Sequence, residues 1–342
     1  MFDKDSKILV VGAGAVGGIS AALLAEAGYN VEVVCKHPEL AEKIKTKGIH
    51  ITGVKGEIIV TLAAVAAIPG IKEKKDIILI STKANDLSRA AKELIPFLKD
   101  HSVVVSMQNG ICEENLAKIV GRERTTGCIV GWGATMNNPG ELEMTSTGTF
   151  VIGNLDDHID SRLESLKTIL GAIVPTTISR NIMGDLYAKL IINSCITTLG
   201  AICGLYLGEM LAKKKVRHIF IKIMEEAIAV ADAHGIKVET YAGKLNYYRF
   251  LESKGSAGRL KRHLFIRLIG FKYRRLKSSA LQSLERGKTT EIDYQNGYIT
   301  KLAGQKNIPV PINEKLVKMV KEIEAGKRKI SVDNFIELEE LL

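Results

Sequence analysis

Cysteine is sparse and unpatterned in this chain. Its five cysteines, Cys35, Cys112, Cys128, Cys195 and Cys203, form no C-x-x-C pair and no metal-like cluster. That excludes a thiolate metal centre and a disulfide-stapled scaffold, and leaves small core residues in a reducing compartment. The opening, MFDKDSK, has no apolar h-region behind a basic n-region, so no secretory leader is expected and a cytoplasmic location is. Internal repeats and low-complexity tracts are also missing.

Charged residues are missing from one long run, Leu190 to Gly208. Its length approaches that of a membrane span, but Asn193, Ser194, Thr197, Thr198 and three glycines interrupt it, and each would be costly in lipid. A buried helix at a domain centre is the expectation, with no membrane span. Acids are missing from another stretch. Between Arg259 and Lys277 lie eight cations and no carboxylate, which accounts for most of the net charge of +10. The chain therefore carries one basic segment and is near neutral elsewhere. The segment, GRLKRHLFIRLIGFKYRRLK, is expected to be a solvated helical hairpin whose apolar face packs on its domain. An acidic partner, a membrane surface, a nucleic acid or a lid attracting anionic ligands are the alternatives.

What is present is a rhythm of strands and helices. KILVVG (7–12) is a short apolar run ending in glycine, the form of a buried parallel strand. A breaker-free stretch of small and apolar residues follows (15–27), then VEVVC (31–35), DIILIST (76–82), a helical LSRAAKELIPFL (87–98) and SVVVSM (102–107). Alternation at this spacing means βαβ units and a doubly wound parallel sheet. TTGCIVGWGATM (125–136) and GTFVIGN (148–154) read as further strands, antiparallel ones, around NNPGEL. Past residue 178 helical periodicity replaces strand alternation. The predicted class is α/β: a doubly wound sheet domain over 1–178 and a mostly α-helical domain over 179–342, with the basic insert at about 250–277. The end, KRKISVDNFIELEELL, reads as a terminal helix or a loose tail.

The first strand–turn–helix carries GAGAVG. Gly12 suits the tight turn, Gly14 lets backbone approach a pyrophosphate, and Gly17 lets the helix pack close to its strand. Ala13, Ala15 and Val16 complete the loop. The helix N-terminus would then face the phosphates. The tip of the second strand reads VVCKHPE. Glu32 comes too early, Glu39 lies past a proline, and Lys36 stands where a cation would bind the extra phosphate of NADP. Lys83 (in STKAND) and Asn109 (in QNG) follow strands of the same sheet, at the edge where open α/β sheets bind ligands.

The helical half offers YAKLIINS. Lys189 and Asn193 are four apart and share a helix face, and a lysine in so apolar a helix either snorkels or serves a function. Such a lysine is suited to protonate a carbonyl oxygen as hydride is added. Glu291, after Thr289 and Thr290, has the look of a first-turn helix carboxylate.

Together, GAGAVG, STKA, QNG, the K-L-x-x-N of KLIIN, the Ser-Ser of KSSALQ, TEIDYQNG and NIPVPIN (307–313) resemble the ketopantoate reductase family over nearly the whole chain. The resemblance implies a Rossmann-type NADP-binding domain and a helical catalytic domain that reduces 2-dehydropantoate to (R)-pantoate with NADPH, on the route to pantothenate and coenzyme A. It implies Lys189 as general acid and Glu291 as a catalytic residue that also contacts the cofactor. It implies Lys83 and Lys36 as cofactor contacts and Asn109 as a residue near both nicotinamide and substrate. Asn193 and Ser279 fall on substrate positions. Thr197 stands where the family often has a second substrate-binding asparagine and is expected to make that contact through its hydroxyl, with a shorter reach, and the chain between Gly235 and Ser279 is longer than is typical. These two departures keep a different branched 2-oxo acid open as substrate, and the basic insert keeps open a non-catalytic NADP-binding sensor. The expected partners are a small 2-oxo acid and no nucleic acid, and a homodimer is left open.

Overall fold

A computed structural model describes residues 1–252 and 255–342. Ser253 and Lys254, within the expected basic insert, lie outside the described residues. The chain divides into two compact units, Met1–Met183 and Gly184–Leu342.

In the first unit the strands are β1 (Ile8–Val11), β2 (Val31–Val34), β3 (Ile49–Gly53), β4 (Ile58–Val60), β5 (Ala63–Val65), β6 (Lys75–Ile80), β7 (Leu98–Ser106), β8 (Thr125–Val130), β9 (Gly133–Asn138), β10 (Glu141–Ser146), β11 (Phe150–Asn154) and β12 (Thr176–Ile178). Helices α1 (Ala15–Glu26), α2 (Pro38–Thr46), α3 (Ala84–Leu94), α4 (Glu113–Val120) and α5 (Ser161–Gly171) connect them. Eight strands form one sheet in the order β12-β11-β8-β7-β6-β1-β2-β5. The central strands β1 and β6 are buried along their whole length, as continuous Val, Ile and Leu runs must be when helices cover both faces. Strands β7, β6, β1, β2 and β5 run parallel. From β1 the chain winds outward through β2 and β5, then returns to β6 on the other side. Strand order thus reverses beside β1, the kind of switch point at whose carboxyl ends open α/β sheets bind ligands.

The expected antiparallel pairing is present: β11 runs against β8. What was read as one strand over 125–136 is two. Gly131 donates to the Thr149 carbonyl (2.8 Å), and a Cβ on Gly148 would meet the Gly131 oxygen at 2.1 Å. This close crossing of two backbones lets the chain leave the large sheet and enter a second one. That second sheet, β4-β3-β10-β9, contains the Pro139–Gly140 hairpin.

The second unit is helical: α6 (Ile182–Cys203, starting two residues earlier), α7 (Leu207–Ala212), α8 (Lys214–Ala233), α9 (Tyr247–Glu252), α10 (Ser256–Lys272), α11 (Ser279–Glu285), α12 (Asn296–Gln305), α13 (Pro311–Glu324) and α14 (Ile336–Glu339). Helix α6 carries the uncharged run as far as Cys203, the rest continuing into α7, and passes a length-and-hydropathy test for a membrane span, yet most of its apolar window is buried inside the protein, as in a core helix.

The basic segment corrects one expectation. Helix α10 packs through Gly258, Arg262, Ile266 and Gly270, whereas Leu260, Leu264, Leu268 and Phe271 point outward and are exposed. Glycines allow a close approach that leucines do not: a Cβ on Gly270 would meet Leu211 Cβ at 2.7 Å. The C-terminus is a short helix held in place. Arg328 binds Glu322 (2.6 Å), Asn334 (2.8 Å) and Glu337 (2.6 Å), and Asn334 donates to the Ile202 carbonyl on α6 (2.8 Å). Hydrogen bonds from Arg328 and Lys315 pull the Glu337 carboxyl down from 4.5 to about 2. A carboxylate lowered on folding stabilises above its unfolded value and loses that contribution as pH falls, here from 4.5 towards 2. Glu337 is more than a third exposed, so screening limits the contribution to about 1 kcal/mol or less. Glu337→Gln should lower stability slightly at neutral pH and converge with wild type as pH falls through that window. Urea melts across pH check this, and a gap independent of pH contradicts it.

Candidate functional site

Gly12 leaves β1 with φ +111°, a left-handed conformation that favours glycine, and a Cβ there would press on the Ser81–Thr82 backbone at 3.1–3.2 Å. A Cβ on Gly17 would meet Ser81 Oγ at 1.9 Å and the Gly12 oxygen at 2.1 Å. Two of the three glycines are therefore required by packing. Ser81 closes the turn by hydrogen bonding to the Val11 and Gly12 carbonyls (3.2 and 3.0 Å). Gly14 differs: it is the N-cap of α1, and no protein atom lies within 4 Å of where its Cβ would be. Ala13, Ala15 and Val16 around it are half-buried. The first turn of α1 has no acidic residue and no side-chain cap, so its N–H groups suit a phosphate. These features fit a dinucleotide pyrophosphate.

Lys36 follows β2 and is exposed; Lys83 is the exposed N-cap of α3. Glu32 is engaged elsewhere, 2.9 Å from buried Lys75 at the start of β6, so it is not available at the ribose end of β2. Asn109 is half-buried in the loop after β7. Its neighbour Gln108 holds that loop, donating to the Ile80 carbonyl (3.0 Å) and accepting from Ser106 (2.8 Å), and Gly110 turns the chain at φ +88°. Because β7, β6, β1 and β2 are adjacent and parallel, Asn109, Lys83, the glycine turn and Lys36 share one edge of the sheet.

In the helical unit, α6 between Asp185 and Gly200 is buried except at Asp185, Lys189, Asn193 and Ile196. That spacing is one stripe of the helix. Two tyrosines fix its azimuth: Tyr247 donates to the Ala188 carbonyl (2.7 Å) and Tyr187 to the Ala227 carbonyl (3.0 Å). Burial pushes both phenols up, so they remain neutral donors.

One turn further, α6 is joined to the Glu291 segment. Thr197 Oγ1 lies 2.6 Å from both the Asn193 carbonyl and Gln295 Oε1, and Thr198 donates to Asn296 (2.6 Å). Asn296 donates to Asn313 (2.9 Å) and to the Ser194 carbonyl (3.3 Å). The Asn313 amide donates to Glu226 on α8 (2.7 Å), and Glu226 also accepts the Ile312 and Asn313 N–H groups, both at 3.0 Å. The carboxylate thus caps the N-terminus of α13 from another helix. Burial raises its pKa, opposed by these N–H donors. Glu291 itself is 9% exposed and begins a 3-10 turn; next to it, Thr290 N–H and Oγ1 both donate to Glu324 (2.7 Å each).

Of the two serines in KSSALQ, Ser278 is buried, caps α11 through Leu281 N–H (3.1 Å) and packs on Gly200 of α6. Ser279 begins α11 and is exposed. Thr197 is buried with its hydroxyl engaged within the unit, so it departs from the expectation of an open substrate contact. The sequence reading passed over Gln295, Asn296, Asn313, Glu226 and Glu324. The available signal was the polar Gln295–Asn296 pair in DYQNG alongside Thr197–Thr198 in an otherwise apolar run.

Asn296→Ala should strand the Thr198 hydroxyl and the Asn313 side-chain oxygen Oδ1, each unpaired buried group costing about 1–3 kcal/mol. Thr198→Val should cost less, and the double variant less than the sum of the two. Urea unfolding of the three variants reads this, and additive losses contradict it.

Two family models match the chain. "Ketopantoate reductase PanE/ApbA" matches residues 8–157, and "Ketopantoate reductase PanE/ApbA C terminal" matches residues 181–324. The 2-dehydropantoate 2-reductases of Pyrococcus abyssi and Pyrococcus horikoshii are 29% and 30% identical to it, covering 94% and 93% of this chain and 99% and 98% of theirs. A ketopantoate reductase structure from Ralstonia eutropha superposes with a TM-score of 0.80 at 29% identity, covering 94% of this chain and 99% of its own. A ternary complex of D-mandelate dehydrogenase with NADH and anilino(oxo)acetate has a TM-score of 0.81 over the same shares at 22% identity, a likeness of fold.

Proposed function

The chain belongs to the ketopantoate reductase family of oxidoreductases, and from that premise we propose that it reduces 2-dehydropantoate to pantoate with NADPH. The observation that carries this reading is the stripe on α6, where Lys189 and Asn193 interrupt burial on a helix locked by tyrosines. A family lysine at this place needs a fixed rotation about the helix axis, and Tyr247 beside it provides that.

The first unit holds the cofactor: N–H groups at the start of α1 take the pyrophosphate, Gly14 leaves room for it, and Lys36 takes the extra ribose phosphate. Lys83 and Asn109 are further contacts along the same edge. Bound NADPH supplies the hydride. Lys189 Nζ holds a proton for the C2 oxygen, where negative charge builds as the carbonyl is reduced, and its ammonium stabilises that charge before giving up the proton. Asn193 and Ser279 hold the substrate. Glu291, anchored through Thr290 and Gln295, sets the charge and geometry around the lysine. Thr197 acts as a positioning residue that ties Asn193 to Gln295. The five buried free thiols suit a reducing cytoplasm.

Steady-state NADPH oxidation across a panel of branched 2-oxo acids should give the highest kcat/KM with 2-dehydropantoate, and a higher value for another acid overturns the substrate. Lys36→Ser should narrow the preference for NADPH over NADH by about tenfold, the scale of one lost charged contact. Gly14→Ala should leave the melting temperature nearly unchanged and weaken NADPH binding. Gly17→Ala should lower the melting temperature outright, because its Cβ meets backbone. Equal effects of the two on stability contradict the assignment of Gly14 to the ligand.

A further inference from the structure

We propose that α10 and the segment behind it form a peripheral docking surface for an anionic phospholipid bilayer. Leu260, Leu264, Leu268 and Phe271 fall at i, i+4, i+8 and i+11, one stripe of a helix, and are 70%, 55%, 59% and 70% exposed. The opposite face is the one that packs, against α7 and α8. A helix buried on one side with large hydrocarbon side chains in a row on the other has a second apolar face without a protein neighbour among the described residues. Phe265, at its flank, leans on Phe250 at 5.6 Å.

The segment that carries the stripe bears charge of a single sign. Of the eight cations between Arg259 and Lys277, Arg262 is buried and donates to the Leu251 carbonyl, and Lys277 pairs with Glu285. The other six, Arg259, Lys261, Arg267, Lys272, Arg274 and Arg275, flank or follow the hydrocarbon row. A shallow pocket beside it is lined by Arg267, Arg274 and Arg275 together with Phe271 and Tyr206; one carboxylate, Glu209, also lines it and accepts the Tyr206 N–H (2.9 Å), so three guanidinium groups outnumber a single acid. The segment is fixed in place: the Leu276 carbonyl accepts the Leu207 N–H (3.0 Å), and Gly208 lies against the Arg274 backbone.

This combination selects its occupant. A second copy docking face to face through the same patch would set cations against cations. A nucleic acid would meet the cations but offer nothing for four outward aliphatic and aromatic groups in a row. An anionic bilayer offers both, phosphate at the arginine pocket and acyl chains to the leucines, in the arrangement of an interfacial amphipathic helix. The attachment is peripheral, because the helix lies on the surface of its domain.

The test is co-sedimentation of the full chain with vesicles of phosphatidylcholine alone or containing one-third phosphatidylglycerol. Partitioning should be at least about tenfold stronger on the anionic vesicles and should fall at about 1 M salt, where screening shortens to a few ångströms. Leu264→Ser/Leu268→Ser and, separately, Arg274→Ser/Arg275→Ser should each weaken it about tenfold or more, with thermal melting and NADPH oxidation in the absence of lipid unchanged. Four results overturn the proposal: no preference for anionic vesicles, binding indifferent to both double variants, tighter retention on RNA than on vesicles, or a lipid-free dimer that Leu264→Ser/Leu268→Ser disperses.

Discussion

The helical unit depends on a buried chain of amides and hydroxyls running from Thr198 through Asn296 and Asn313 to Glu226. Each member is polar, and most are cut off from water, so each is costly unless paired. Pairing fixes the relative placement of four elements at once: α6, α8, α12 and the start of α13. A hydrophobic replacement would pack but would not set register with the same precision. Hydrogen bonds have direction, and of the groups assigned to catalysis Lys189 precedes Thr198 by nine residues on α6 and Glu291 precedes Asn296 by five.

The sheet unit uses a different device for the same end. Strand order reverses beside β1, so loops from four parallel strands converge without any long-range polar network. Precision there comes from steric exclusion: Gly12 and Gly17 admit no side chain, and Ser81 bonds both carbonyls at the turn. Gly14 is the exception: no protein atom lies within 4 Å of where its Cβ would be, so the start of α1 is left open there. One unit thus relies on close backbone approach and the other on hydrogen bonds, as suits the phosphate cradle and the proton donor proposed for them.

Much of this was legible in the sequence. Continuous apolar runs gave β1, β6 and β7, and glycine spacing gave the turn. The Lys189–Asn193 separation gave a shared face. The misses have common physical causes. Strand β3 has only two apolar residues, Ile49 and Ile51, and β4 is three residues long, so neither forms a run long enough to stand out, and the division of 125–136 depends on Gly148 meeting Gly131 from 17 residues away. The amide relay joins residues about a hundred positions apart, such as Thr198 and Asn296, and pairwise spacing carries no trace of it. The outward leucines of α10 were misread because hydrophobicity is ordinarily a guide to burial, whereas here glycines form the packed face.

The central claim is that Lys189 delivers the proton to the substrate oxygen. The most direct measurement is the pH dependence of kcat for 2-dehydropantoate reduction in wild type and Lys189→Ala, with the NADPH dissociation constant measured alongside. The account predicts a wild-type rate that declines on the alkaline side as the ammonium loses its proton. The variant should be slower by about 10²–10⁴ and lack that decline, with cofactor affinity little changed. A variant that turns over near the wild-type rate, or that keeps the same alkaline decline, would contradict it.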